Sequence, residues 1–273
     1  MHRAVVWFIL KAIEVMNRNT KEWLYHLLWL MESLSRPTIH NLTDSFEGWA
    51  SRRGILRKLH RLEMEEFLES RPGSVEQRTY TLTAEGRRVA LGGRDPEAHW
   101  TRRWDNQWRL VVFDLPEIKN SLRVRLRRFL KDQHFGFLQN SVWITPDPLD
   151  SIAANLRAFS DDVESLIILE ARAGGGASDA AIVAGAWDFE QVNEAYRAYL
   201  RVLEQIDQQA TQSRPISKQL RWYMEREHSH WLETVAIDPL LPGSLLPTGY
   251  LGKEAWQARR RLTETLVTSS VTS

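Results

Sequence analysis

Between Trp104 and Pro146 the chain passes through a short apolar stretch, Leu110 to Phe113, that stops at Asp114-Leu115-Pro116. Four apolar residues, two of them Val, are too few for a helix and suit a strand buried on both faces. Pro116 has no N–H to give a ladder, so the strand ends before it. The period then changes: Leu122, Leu126, Phe129 and Leu130 fall on one helical face, with Arg123, Arg127, Arg128 and Lys131 turned away. Gly136 breaks the pattern, and two strand-like pieces, Phe135 to Leu138 and Ser141 to Thr145, flank a Gln139-Asn140 turn. A helical run from Leu149 to Phe159 and an apolar strand from Ser165 to Ala171 complete the order β-α-β-β-α-β of a ferredoxin-like domain.

Upstream, Lys21 to Leu34 carries a broad apolar stripe that Arg36-Pro37 terminates, because the residue before proline disfavours the helical region. A short helix from Thr38 to Ser45 follows, then a third from Trp49 to Glu66 with Ile55, Leu59 and Leu62 facing inward. Phe67 to Ser70 and Arg78 to Leu82 read as two short strands around a polar tip, which makes the whole a winged helix-turn-helix. Its third helix bears Arg52, Arg53, Arg57, Lys58 and Arg61, with Arg53, Arg57 and His60 opposite the apolar positions. A charged stripe is usually a solvated helix face; after a helix-turn-helix and before a wing it is placed to read DNA. Arginine serves guanine edges and phosphates there, and lysine phosphates. Arg71 and Arg78 on the wing are placed for backbone or minor groove.

Downstream, helices are expected over Asp188 to Gln209, Ile216 to Val235 and Lys253 to Val267, the last two joined by a Pro- and Gly-rich segment. Net charge is only +1, so nucleic-acid affinity must come from local clusters of Lys and Arg. The absence of cysteine removes thiolate nucleophiles, zinc ribbons and disulfides, and suits a cytoplasmic protein. The apolar run from Ala4 to Leu10 is far short of the ~20 residues of a membrane span and reads as part of an amphipathic helix, Ala4 to Met16. Trp100, Trp104 and Trp108 at i, i+4, i+8 read as a packing surface between domains. His228 and His230, with Glu225 and Glu227, read as a solvated helix face, since H-x-H on a helix splays the imidazoles apart. Asp114 is a lone carboxylate, poor for magnesium, and reads as a turn cap. No catalytic residue, metal or cofactor is expected.

The segment WDNQWRLVVFDLPE, the basic helix after it and FGFLQNSVWITP together resemble the central domain of PaaX-type bacterial transcriptional regulators. RRGILRKLHRLEMEEFL resembles that family's recognition helix running into its wing, and AWDFEQVNEAYRAYL and DPLLPGSLLP resemble its C-terminal helical region. After Pro247 the chain departs from the family pattern, with TGYLGKEAW replacing a Trp-containing turn. The resemblance implies a homodimeric repressor on double-stranded operator DNA, released by a small effector. That effector would be an acyl-CoA such as phenylacetyl-CoA, and the target an aromatic-acid catabolic operon. Arg123, Arg127 and Arg128, with Arg125 among them, are the candidate holders of effector phosphates. The central domain also resembles the small CRISPR adaptation nucleases, whose first strand likewise ends in Asp; the alternative is therefore a metal-dependent nuclease using Asp114.

The expected fold is α+β: a winged-helix domain over 1–92, a linker over 93–107, a ferredoxin-like domain over 108–176 and a helical domain over 177–273.

Overall fold

The computed structural model describes residues 24–25, 27–28, 52–71, 79–114, 120–160, 165–212 and 217–271. The expected helices from Ala4 to Met16 and from Thr38 to Ser45, together with Arg78, lie outside the described residues. What is described mixes helices with two small antiparallel sheets, as an α+β chain should. It divides into two compact units. A central unit comprises Pro96–Asn193 and Ile237–Tyr250; a flanking unit joins the described residues of Leu10–Asp95 to Glu194–Ala236 and Leu251–Ser273.

The flanking unit opens, after the buried helical residues Leu24, Tyr25, Leu27 and Leu28, with α1 (Arg52–Met64). Leu59 and Leu62, three apart, bury the inner side of α1. Glu66 ends it with φ of 60°, a left-handed conformation that reverses the chain. Strands β1 (Leu68–Arg71) and β2 (Thr79–Leu82) then pair antiparallel from Leu68↔Leu82 to Arg71↔Thr79. Thr83 caps α2 (Ala84–Ala90): its hydroxyl accepts from the Gly86 N–H at 2.9 Å and donates to the Glu66 carbonyl at 2.8 Å. One threonine thus satisfies a helix N-terminus and ties it to the turn after α1.

In the central unit a short helix, α3 (Pro96–Thr101), leads to β3 (Trp108–Asp114), α4 (Asn120–Asp132), β4 (Gly136–Gln139), β5 (Val142–Thr145), α5 (Ala153–Ser160) and β6 (Ser165–Ala171). The strand order is β4-β5-β3-β6, antiparallel throughout, which is the ferredoxin-like connectivity. The first strand is the middle one, and it is buried on both faces as its sequence requires. Val111 and Phe113 pack under Leu122, Leu126 and Leu130 of α4 and Leu156 of α5. Trp108 packs on the opposite face with Ile144, with Val183 and Ala186 of α6 (Asp179–Ala186), and with Leu241 and Leu245.

Two features of β3 escaped the hydropathy reading. The strand begins two residues before the apolar run because Arg109 interrupts it while remaining inside. Only 7% exposed, Arg109 bonds Asp105 at 2.9 Å and Glu170 at 3.3 Å. The Asp105 carboxyl is held below its usual range chiefly by that hydrogen bond. The tryptophans are the second. Trp104 and Trp108 are not a surface between domains but belong to the central core, 5.3 Å apart, with Trp187 6.1 Å beyond Trp108. Helical spacing does not apply to them, since the helix ends at Thr101 and Trp108 already lies in a strand.

The chain finishes with three long helices, α7 (Phe189–Gln212), α8 (Ser217–Ile237) and α9 (Gly252–Val271). Val192, Tyr196, Tyr199, Leu203 and Ile206 form the buried stripe of α7 at helical period. Among the described residues, no helix is long and apolar enough to cross a membrane.

Candidate functional site

Helix α1 presents two chemically distinct sides. Leu59 and Leu62 are buried, while Arg57, Lys58, His60 and Arg61 are exposed. Met64, 73% exposed, continues the outer stripe one turn past His60. Arg61 donates to Glu65 at 2.8 Å, an i,i+4 pair at the surface that solvent screens. Arg52 and Arg53 lie in the first turn of α1, and their side chains are outside the described residues. Arg71 is exposed at the end of β1, opposite Thr79. The helix and the hairpin therefore offer Arg57, Lys58, Arg61 and Arg71 to solvent within one unit.

On the central unit, α4 carries the second group of arginines. Arg123 is half-buried; Arg127 is exposed and donates to the Asn140 carbonyl at 3.0 Å; Arg128 is exposed, 3.9 Å from Asp132. Arg125 differs from these three. It lines a cleft of about 230 Å³ with Phe129, Asn155, Ala158 and Phe159, its guanidinium 5.8 Å from the Phe159 ring centre. Phe129 and Phe159 lie 5.4 Å apart at 44°. Ligand pockets usually run ~300–1,000 Å³, so this open cleft is smaller than most. Asp114 is exposed at the end of β3, across from Ser165. Among the described residues, no three His, Cys, Asp or Glu side chains converge on a metal position.

The flanking unit holds a polar cluster that sequence reasoning missed. Glu227 of α8 is only 1% exposed, so the solvated-face reading fails for it. Its carboxylate accepts hydrogen bonds from the hydroxyls of Tyr25 and of Tyr199 on α7. Arg259 of α9, fully buried, lies 3.4 Å from the same carboxylate and 4.8 Å from the centre of the Trp256 ring. Burial pushes the Glu227 carboxyl up to about 7, with Arg259 pulling the other way. His228 stacks on Tyr25 at 3.6 Å, while His230 stays half-exposed near Glu233.

Residues 101–183 match the family model described as the PaaX protein central Cas2-like domain. Residues 187–272 match that of the PaaX-like protein C-terminal domain. The chain belongs to the PaaX family. In this PaaX protein, Asp114 and the arginines of α4 fall in the first matched stretch, and Tyr199, Glu227 and Arg259 in the second. Helix α1 and its hairpin precede both. A solved structure, "Uncharacterized protein Rv0674 from Mycobacterium tuberculosis", is similar at 19% identity, over 87% of this chain and 92% of that one, with a TM-score of 0.45. No curated protein matches the chain.

Proposed function

We propose that this PaaX protein is a DNA-binding transcriptional regulator, a homodimeric repressor whose N-terminal winged helix reads an operator half-site. The observation that carries this reading is the outer side of α1. Arg57, Lys58, His60 and Arg61 stand in solvent opposite Leu59 and Leu62, directly before an antiparallel hairpin that carries Arg71. A helix laid in the major groove needs such an arrangement, because forked arginines meet guanine edges and phosphates while the inner side stays anchored. Arg57→Ala is expected to cost about 1–3 kcal/mol on the cognate operator and to relax preference at one position. Arg61→Ala, nearer the hairpin, is expected to weaken all sequences alike and to lower the salt slope by about one. Fluorescence anisotropy with cognate and scrambled duplexes at several salt concentrations measures both. Operator affinity unchanged by Arg57→Ala but abolished by Arg123→Ala would move the nucleic acid to the central unit.

The effector in this reading is the acyl-CoA class that the family resemblance implies. The second copy would cover β6. Ile167, Ile168 and Leu169 are 48%, 45% and 48% exposed, and among the described residues β6 pairs only with β3. An aliphatic strand edge without Lys or Pro is a pairing surface unless something covers it. Ile168→Lys is therefore expected to turn a dimer into a monomer at micromolar concentration by sedimentation velocity, with far-UV circular dichroism unchanged. A wild-type protein that sediments as a monomer both with and without DNA removes the dimer from the proposal.

A further inference from the structure

Helix α4 carries Arg123, Arg125, Arg127, Arg128 and Lys131 against a single carboxylate, Asp132. The whole chain has a net charge of only +1, so these 13 residues concentrate positive charge far beyond the average. Leu122, Leu126 and Leu130 are buried in the core with Val111 and Phe113, which turns the cations outward. Arg125, Arg127, Arg128 and Lys131 are exposed, and Arg123 is half-buried. Arg123, Arg127 and Lys131 follow one another at i, i+4, i+8, a row with about 6 Å between neighbours along the helix. Like charges at that spacing repel, and the helix is weaker for holding them. Elsewhere such charges are matched, Arg61 of α1 by Glu65 and Arg88 of α2 by Glu85. On α4 the countercharge is thin. Arg128 stands 3.9 Å from Asp132, Arg127 donates to the neutral Asn140 carbonyl, and Arg125 faces the Phe159 ring at 5.8 Å. A self-repelling row that the core does not need points to an anion outside the chain.

The form of the row selects among anions. A single small anion meets one or two of these side chains, whereas the row and Arg128 beside it run over two turns. A bilayer surface asks for apolar residues on the same side, to enter the headgroup layer. The leucines of α4 are inside the protein, and its outer side offers one apolar residue, Val124, 57% exposed. The phosphates of a nucleic-acid strand are themselves a row of charges and require no apolar contact. Building on the reading of the chain as a DNA binder, we propose that the outer side of α4 is a second DNA contact, which holds backbone phosphates of the duplex without reading sequence. Its arginines and lysine replace the counterions condensed on those phosphates. Sequence preference stays with α1, and α4 adds affinity alike for every sequence.

The experiment is fluorescence anisotropy of the full chain on cognate and scrambled duplexes, from about 50 to about 200 mM salt, with Arg127→Gln, Arg128→Gln and Lys131→Gln combined. All three side chains are exposed, so far-UV circular dichroism and the urea midpoint should match the wild type. Affinity at about 0.1 M salt should fall roughly tenfold or more on both duplexes, their ratio unchanged, and the salt slope should shrink by about 2–3. The same loss of charge on the flanking unit, Arg201→Gln, Lys253→Gln and Arg261→Gln combined, should change neither, since charges are screened beyond ~10 Å at that salt. Unchanged affinity and slope in the α4 variant overturn the proposal while DNA binding itself stands. An equal loss in the second variant overturns it too, assigning the effect to net charge. If the α4 variant keeps its DNA affinity but loses binding of coenzyme A, or of phosphatidylserine vesicles, the row serves that ligand and the proposal fails. A wild-type chain that binds neither duplex removes the DNA reading and this contact together. Should the triple variant not fold, Lys131→Gln alone should lower the slope by about one on both duplexes, and an unchanged slope overturns the contact.

Discussion

Trp108→Ala is expected to lower the unfolding free energy by about 3–5 kcal/mol, the usual range for removing a buried tryptophan. Trp108 is 1% exposed at the start of the central strand and is surrounded on every side. Ile144 lies beside it on β5, Val183 and Ala186 come from α6, and Leu241 and Leu245 close the cluster from a segment more than 130 residues downstream. Its indole N–H donates to Asp179 at 2.8 Å, in the first turn of α6, so the substitution removes a tether as well as volume. Partners drawn from a strand, a helix and an irregular segment cannot all close on the void, which argues for the upper half of the range. Urea unfolding followed by far-UV circular dichroism measures the loss. Met64→Ala, at a position 73% exposed, should change stability by no more than about 0.5 kcal/mol in the same assay. A cost below about 1 kcal/mol for Trp108→Ala would mean that the cluster around Trp108 is not packed as described.

The elements that could be read from the sequence were those whose burial repeats with a local period. Leu122, Leu126 and Leu130 at i, i+4, i+8 announce α4, and the break at Pro116 announces the end of β3. Ser165 to Ala171 was legible as a strand on other grounds, from the length and aliphatic character of its run, although Ile167, Ile168 and Leu169 stay exposed. What could not be read depends on partners remote in sequence. Arg109 looks like a surface residue until Asp105 and Glu170 are brought against it. Leu241 and Leu245 sit in a segment without period, and only the folded chain takes them into the central core. Glu227 is the clearest instance. Flanked by Glu225, Arg226, His228 and His230, it has the composition of a solvated face, yet one turn of α8 carries it inward to Tyr25, Tyr199 and Arg259. Tyr199 was visible as a core residue of α7, but nothing in that stripe signals that its hydroxyl has a carboxylate to meet. On α1, by contrast, the inward leucines and the outward basic residues follow from spacing alone, and the structure puts Leu59, Leu62, Arg57, Lys58 and Arg61 on the expected sides.

Gly86→Ala separates a local preference from a tertiary constraint, and the two predict opposite signs. Gly86 is the third residue of α2, where alanine should stabilise the helix by about 1 kcal/mol on propensity alone. A Cβ at that position would stand 2.0 Å from the Phe67 carbonyl oxygen and 2.8 Å from its carbon. Both atoms are backbone, so neither can swing aside as a side chain would. Phe67 is also fixed from two directions, its N–H bonded to Leu62 at 2.9 Å and its carbonyl to the Thr83 N–H at 3.1 Å. Relieving the clash means moving α2 away from the start of β1, which breaks the bond from Thr83 and strains the cap that Thr83 places on Gly86. Overpacking of this kind costs about 3 kcal/mol or more, which outweighs the propensity gain several-fold. The net expectation is destabilisation, seen as a lower urea midpoint. The damage should be local to α1, the hairpin and α2, so hydrogen exchange should quicken in Phe67 to Ala90 while the peptides of β3 and α4 keep their protection. If α1 and the hairpin read DNA, operator affinity should fall together with that protection. A Gly86→Ala protein as stable as the wild type would show that the close approach of α2 to Phe67 is not how these elements meet.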